Sequence, residues 1–337
     1  MQFADFVRLL GRLDEEFSCA NSRFFRTTLY ANEEVSRYLR DHFVLHWKSV
    51  RPVPKVTIDF GDGRILERTL TGNSIHYVLS ADGRPIDALP GLYGPKAFLA
   101  GLARAEEAGR KFNQLADAAR DGFLGQYHRE RLAAIDREWS DDLRTVGGGA
   151  IPTASTPSVM TSGANPPNAA AAGRIAIGKG KAEFPLLRAT MTAPVLARAQ
   201  LNGATDDALW GRIAARHADD AKLDRGALAL MRAKNPNAFE AGRRTVPKME
   251  VEDPLLRVVR NLERSIAEDT VRNEYQLHAR LHEWFAAGAA PQDVDTLNAR
   301  VYAELFLTPD SDPWLGLAPR DAYSALENDG QVAQAAP

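Results

Sequence analysis

The sequence predicts a mixed α/β part and an all-α part, joined by a flexible linker. In the first 110 residues, helical and strand patterns alternate, and two Asp-Gly pairs each separate runs of β-forming residues. After residue 174 the apolar residues recur at helical spacing. Between these parts, residues 145–173 contain four prolines and five glycines but no charged residue. Such a segment cannot bury an apolar face to offset its ordering entropy, so we expect a linker.

These patterns divide the chain into five predicted segments. The 337 residues are enough for about two domains. We predict an α/β domain at 1–110, a helical extension at 111–144, the linker at 145–173, a helical domain at 174–327 and a disordered tail at 328–337.

The charge balance and the single cysteine exclude several classes of partner and site. Lys and Arg total 42 against 44 for Asp and Glu, so we expect no nucleic-acid partner. Cys19 is the only cysteine, which excludes an intrachain disulfide. The sequence begins without a signal-peptide pattern and has no apolar run of membrane-spanning length. We therefore expect a cytoplasmic protein without a membrane partner; the oligomeric state stays open.

In the α/β part, apolar spacing predicts a helix over residues 3–17, a second helix after Cys19 and a short third helix capped by Asn32. A strand is expected at 43–50. Two hairpins and a long helical stretch should follow. The hairpins pair 55–60 with 64–70 and 75–80 with 84–89, and helical spacing then runs from Phe98 to Trp139.

The all-α part should contain a long helix that Asp253 and Pro254 open and Gly288 ends. The predicted helices of this part are 206–218, 224–233, 254–287 and 292–307.

Cys19 is the candidate nucleophile. If the second helix begins at Cys19, its free backbone amides and its dipole lower the pKa of the thiol. Ser22 lies one turn further along and can donate a hydrogen bond to the same sulfur. The alternative is that Cys19 is a small buried apolar residue, which is a common environment for free cysteine.

A Cys-x-x-Ser segment at a helix start, followed by a strand, an Asp-Gly hairpin and a closing helix, resembles bacterial proteins of the thioredoxin-like superfamily. The resemblance covers about residues 17–102. It implies a central sheet flanked by helices, in which Cys19 attacks disulfides or peroxides and Ser22 replaces the resolving cysteine. The matching pieces are Cys19-Ala20-Asn21-Ser22, Asn32-Glu33-Glu34-Val35, Gly72-Asn73-Ser74-Ile75 and Pro90-Gly91-Leu92-Tyr93-Gly94-Pro95.

The sequence departs from the family pattern at four places. Ser22 cannot resolve a mixed disulfide, which leaves a monothiol cycle with glutathione or a partner thiol. Ser74 stands where the family has a cis-proline facing the cysteine. The hairpin at 55–70 occupies the place of the second helix. Before Cys19 the family has a strand, whereas the spacing over residues 3–17 predicts a helix.

A candidate metal site lies on the long predicted helix. Glu274, His278 and His282 are spaced by four residues, so they share one helix face. Together they can hold Zn or Fe, with Glu304 as a fourth ligand; no other cofactor is expected. Alternatively, the two histidines line a helix contact and are hydrogen-bonded there.

Three histidines belong to the α/β part. His46 and His76 fall on predicted strands, from which either can reach Cys19 and act as a base. The alternative places them, with His42, on the surface of the sheet or half buried in it.

Two functions remain open. In the first, Cys19 forms a mixed disulfide or a sulfenic acid, Ser22 and Ser74 complete the site, and the partner is a protein or glutathione. In the second, the thioredoxin-like domain is a catalytically silent binding or scaffold module. Its helical domain then binds a partner or a metal.

Overall fold

The computed structural model describes residues 4–10, 24–50, 55–69, 74–146, 207–234 and 254–306, with Thr308 and Ser311. Within these ranges, an N-terminal sheet with helices is followed by a helical C-terminal part, which is the predicted layout. Residues 147–173 of the predicted linker, the predicted N-cap Asp253 and the predicted tail lie outside the described residues. Among the described helices, none combines the length and the apolar character needed to span a lipid bilayer.

Four of the strands form one sheet in the order β2-β1-β5-β6. The strands are β1 (Ala4–Leu10), β2 (Phe43–Ser49), β3 (Lys55–Asp59), β4 (Ile65–Thr69), β5 (Ile75–Leu79) and β6 (Pro85–Pro90). β1 pairs in parallel with β2 and antiparallel with β5, and β5 pairs antiparallel with β6. β3 and β4 form a separate antiparallel hairpin. Both predicted hairpins are therefore confirmed, and Gly63 and Gly83 in their turns have positive φ angles of 89° and 82°.

The prediction of a helix over residues 3–17 is wrong for residues 4–10, which form β1. This strand is central: Phe6 pairs with Leu45 of β2 on one side and with Val78 of β5 on the other. The strand conformation of residues 4–10 is set by this pairing with β2 and β5, which the spacing of apolar residues within one segment does not indicate. The apolar residues of β1 also fit a helical spacing.

The other predicted helical stretches are helical in the described ranges, with π-helical turns at three places. The helices are α1 (Glu33–His42), α2 (Pro95–Gln114), α3 (Asp117–Thr145), α4 (Asp207–Arg216), α5 (Arg225–Lys234), α6 (Pro254–Arg272), α7 (Ala279–Ala286) and α8 (Val294–Arg300). The π-helical turns are Phe25–Leu29, Asn273–His278 and Val301–Leu305, and a 3₁₀ turn lies at Ala218–Ala221. α6, the turn at Asn273–His278 and α7 follow one another without a break and are called the long helix below.

Two hydrophobic clusters pack on the sheet, and each contains side chains from both parts of the chain. Val78 and Ile75 belong to different clusters, as expected for alternating positions of β5. The first cluster includes Phe25, Leu39, Val78, Phe98, Trp210, Ile213 and Ile266. The second includes Ile75, Tyr77, Ile86, Phe112, Leu281, Trp284 and Val301. The helical part therefore completes the core of the α/β part.

The turn after β6 fastens the sheet to the long helix. The Asn273 side chain donates a hydrogen bond to the carbonyl oxygen of Leu92 over 2.7 Å. The Thr270 hydroxyl accepts one from the Gly94 amide over 2.8 Å. These contacts fix the long helix beside β6, where the polar cluster described below lies.

Candidate functional site

Of the predicted thiol site, the structure describes Ser74 alone; Cys19 and Ser22 lie outside the described residues. Ser74 immediately precedes β5, is fully buried, and accepts a hydrogen bond from the Gly91 amide through its carbonyl oxygen over 2.9 Å. Leu9 pairs with Ile75, so β1 ends beside Ser74.

The three histidines of the α/β part have different environments. His76 is fully buried in β5, with its Nε2 2.6 Å from the Tyr30 hydroxyl. His42 lies 3.2 Å from a carboxylate oxygen of Glu106 through its Nδ1. His46 is exposed on β2. The role of His46 or His76 as a base for Cys19 stays a prediction.

Six polar side chains meet where β6, α3 and the long helix come together, and we call this group the polar cluster. Four of its members, three of them histidines, are buried almost completely. The polar cluster consists of Asp87 from β6, Tyr127 and His128 from α3, Glu274 and His278 from the π-helical turn, and His282 from α7.

Part of the polar cluster covers the open edge of the sheet. β6 is an edge strand, so the backbone groups on its outer side need partners other than a strand. The ring of His128 donates through Nε2 to the carbonyl oxygen of Ile86 over 3.0 Å. A carboxylate oxygen of Asp87 accepts from the Ala88 amide over 2.8 Å. Asp87 and His128 thus replace a neighbouring strand at this position.

His278 lies between two carboxylates. Its Nε2 is 3.1 Å from Asp87 Oδ1, and its Nδ1 is 2.9 Å from Glu274 Oε2. A carboxylate oxygen accepts hydrogen bonds, so both ring nitrogens carry protons and the ring is an imidazolium. Burial lowers the pKa of His278, but Glu274 and Asp87 outweigh this effect and raise the pKa to about 9.

The two carboxylates, Asp87 and Glu274, are ionised because the positive charge of His278 stabilises their negative charges. Burial raises the pKa of Asp87, but the charge and the hydrogen bond of His278, with the neighbouring His282 and His128, together outweigh burial and hold the pKa well below the usual range. The same balance, with help from Arg104 and Arg131, lowers the pKa of Glu274 to about 2. The Tyr127 hydroxyl also donates to Asp87 Oδ2 over 2.6 Å. Asp87, His278 and Glu274 therefore form a buried line of alternating charge.

His128 and His282 form a neutral pair. Their Nδ1 atoms are 2.7 Å apart, and burial lowers the pKa of both rings, that of His128 to about 4. His128 donates a hydrogen bond from Nε2–H to the carbonyl oxygen of Ile86, so its Nδ1 carries a lone pair. This Nδ1 accepts a hydrogen bond from the Nδ1–H of His282. The Nε2 of His282 then also carries a lone pair, and this buried atom has no hydrogen-bond partner in the described part of the chain.

The donor atoms best placed for a metal differ from the predicted set. One donor atom each from Asp87, His128 and His282 lies within 4.8 Å of the other two. The predicted residues Glu274, His278 and His282 are all in the polar cluster, but His278 separates Glu274 from Asp87. Glu304, the predicted fourth ligand, pairs instead with Arg300 over 3.2 Å. The predicted ligand set stays a prediction.

Asp87, Tyr127 and His128 are not among the predicted site residues. A usable signal was present for Asp87, because it is the single charged residue in the apolar strand of residues 85–90. A carboxylate at a buried strand position needs a partner. No comparable signal marks Tyr127 or His128, whose importance depends on the contact between α3 and the long helix.

Comparison with the models of known protein families, with curated proteins and with solved structures found no match to this chain.

Proposed function

We propose that the chain is a thioredoxin-like protein that uses the single thiol of Cys19 for exchange with a protein or glutathione partner. The observation that carries this proposal is that residues 4–10 form the strand β1. The resemblance requires a strand before Cys19, and β1 is such a strand, ending beside Ser74 at the centre of the sheet. Helices α1 and α2 pack against the same sheet, which supports the layout that the resemblance implies.

The proposed reaction needs one thiolate in the protein and a thiol partner. The Cys19 thiolate attacks one sulfur of a disulfide, forming a mixed disulfide while the other sulfur leaves as a thiolate. A glutathione thiolate then attacks the partner's sulfur in the mixed disulfide and releases Cys19 as a thiolate. Ser22 cannot perform this second attack, and its hydroxyl instead stabilises the thiolate.

The test is the pH dependence of iodoacetamide alkylation of the full chain. We expect a midpoint clearly below ~8.5, the value of an unperturbed thiol. Ser22→Ala should raise the midpoint, and Ser155→Ala, a serine of the predicted linker, serves as the matched control. A midpoint at or above the ordinary value contradicts the proposal.

A binding module is the second candidate, and an exposed apolar surface favours it. Val44, Leu45 and Trp47 of the edge strand β2 are 44%, 48% and 55% exposed. Exposed apolar residues on an edge strand are suited to pairing with another chain. The variant Cys19→Ser distinguishes the two candidates. A partner held by disulfide exchange no longer binds this variant, whereas a partner held by the β2 surface still binds it. Trp47→Lys should release only the partner of the β2 surface.

A further inference from the structure

The contact between His128 and His282 points two ring nitrogens at each other. Two lone pairs cannot face each other at 2.7 Å, so one Nδ1 carries a proton there, and a metal ion that binds both rings replaces this proton. Because His128 is held at its Nε2 by Ile86, its Nδ1 is fixed in direction toward His282. This arrangement orients a donor before any ion arrives.

Asp87 supplies a third donor and still has room for it. A carboxylate has about four acceptor positions. Asp87 uses three of them, for the Tyr127 hydroxyl, the His278 ring and the Ala88 amide. The fourth position remains, and one Asp87 oxygen lies within 4.8 Å of a nitrogen of each of His128 and His282. Bonds of about 2.0–2.2 Å place the ligands of a tetrahedral zinc ion about 3.3–3.6 Å from one another. The site therefore needs side-chain rotations that move the two Nδ1 atoms slightly apart from 2.7 Å and keep the Asp87 oxygen close to both.

The surroundings of these donors match those of metal ligands. Metal-bound histidines donate the other ring N–H to a carbonyl or carboxylate, and bound carboxylates accept hydrogen bonds of their own. His128 makes the first contact with Ile86 and Asp87 makes the second with Tyr127. In addition, the Nε2 atom of the fully buried His282 ring has no hydrogen-bond partner among the residues that the structure describes.

We propose that Asp87, His128 and His282 bind a divalent transition-metal ion of the class of Zn²⁺ or Fe²⁺. Two imidazoles and one carboxylate are a donor set that suits these ions and leaves further coordination positions open. The ion ties β6, α3 and α7 together. This site is independent of the proposed thiol function and differs from the set Glu274, His278 and His282.

The test uses the full chain without a histidine tag, freed of metal with EDTA and titrated with Zn²⁺. We expect one equivalent to bind and the thermal midpoint to rise, because an ion that binds the folded state alone stabilises it. Co²⁺ should give the visible absorption of a site with nitrogen and oxygen ligands. Cys19→Ser should bind as the wild type does, which separates this site from the thiol.

Variants decide which side chains are ligands. Asp87→Asn, His128→Gln and His282→Gln should each weaken Zn²⁺ binding at least ~10–100-fold, the range known for residues that only support ligands. The matched control His46→Gln should keep the wild-type affinity, and Glu274→Gln should weaken Zn²⁺ binding less than any of the three ligand variants, because Glu274 reaches the site only through His278. Circular dichroism of each variant identifies those that fold.

Three results would overturn the proposal. The first is a wild-type chain that takes up neither Zn²⁺ nor Co²⁺; this measurement needs no variant to fold. The second is equal loss of binding in His46→Gln. The third is loss of binding in Glu274→Gln with retention in a folded His128→Gln, which would assign the ion to the other ligand set.

Discussion

At the scale of single residues, Gly91 combines two constraints on its backbone. Its φ angle is +83°, and a Cβ atom added there would lie 2.6 Å from the amide nitrogen of the Asn273 side chain. That side chain is itself held by its bond to Leu92. A larger residue at this position therefore adopts an unfavourable φ angle, which costs free energy of folding, and it displaces the Asn273 side chain from the turn.

Gly91→Ala should lower the free energy of unfolding by about 2–4 kcal/mol, from the φ penalty and the lost contact together. Gly83→Ala is the matched control, because Gly83 has a φ of +82° but no atom within 4 Å of the added Cβ. Gly83→Ala should lower the free energy of unfolding by about 1–2 kcal/mol, from the unfavourable φ angle alone. Urea unfolding of both variants measures the difference; equal losses would show that Asn273 imposes no constraint.

His217 and Asp142 form a hydrogen-bonded pair whose effect on stability should depend on pH. His217 Nε2 is 2.8 Å from Asp142 Oδ2, and Asp220 lies 3.5 Å from the other ring nitrogen. The hydrogen bond to Asp142 is the largest of the effects that raise the pKa of His217 from 6.5 to about 9. Tyr275 and Arg216 also contact Asp142.

The sign of the effect follows from this shift. Because folding raises the pKa of His217, its stabilising contribution is complete below pH 6.5 and disappears as the pH rises through about 9. His217→Gln should therefore have a free energy of unfolding about 1–2 kcal/mol lower than wild type below pH 6.5. This figure is reduced from the full pKa shift because His217 is partly exposed to solvent, which screens its charge. Urea unfolding should show the two proteins converging above pH 9. A difference that is constant with pH would contradict the charge on His217.

At the scale of elements, the start of α1 depends on Asn32. Its side-chain oxygen accepts a hydrogen bond from the Val35 amide over 3.0 Å, as the sequence predicted for an N-cap. Asn32→Ala should lower the free energy of unfolding by about 1 kcal/mol, whereas Asn32→Asp should keep it, because aspartate caps equally well. Thermal unfolding followed by circular dichroism compares the two; an equal loss in both would exclude capping as the cause.

The elements also show what the sequence could predict and why. The cap at Asn32 and the turns at Gly63 and Gly83 are local, so the residue types alone indicate them. β1 was missed because its strand character comes from pairing with β2 and β5, which lie 30 or more residues away along the chain. The π-helical turn that carries Glu274 and His278 has no sequence signature either.

The polar cluster was predicted in part for the same reason. His278 and His282 share a helix face by spacing alone, and the structure brings both into the cluster. Asp87 and His128 come from other elements and meet them through tertiary packing. Periodicity within one helix cannot indicate such partners.

At the scale of the whole molecule, the two parts of the chain share their core. Ile213 of α4 is fully buried in the same cluster as Phe25, Val78 and Phe98. Side chains that belong to one cluster lose their packing together. The helical part and the sheet should therefore unfold in a single transition.

Ile213→Ala should lower the free energy of unfolding by about 2–5 kcal/mol and shift the transition of the sheet by the same amount. The matched control is Ile65→Ala, since Ile65 is 63% exposed in β4 and its loss should change the free energy by at most ~0.5 kcal/mol. Hydrogen exchange of β5 amides, compared with far-ultraviolet circular dichroism, measures both regions. Unchanged protection of β5 in Ile213→Ala would mean that the parts unfold separately.

The covering of β6 by side chains also sets an order for biosynthesis. Asp87 meets His278, which is 191 residues later in the chain. The ribosome makes Asp87 and His128, which cover the edge of β6, long before it makes the long helix, so the Asp87 carboxylate lacks its imidazolium partner while most of the remaining chain is translated. A buried carboxylate without a charged partner is unfavourable, so the cover of the edge becomes stable only when His278 has been made. A chain released before residue 278 should therefore hold the edge of β6 less firmly covered, which favours its pairing with a chaperone or a neighbouring nascent chain.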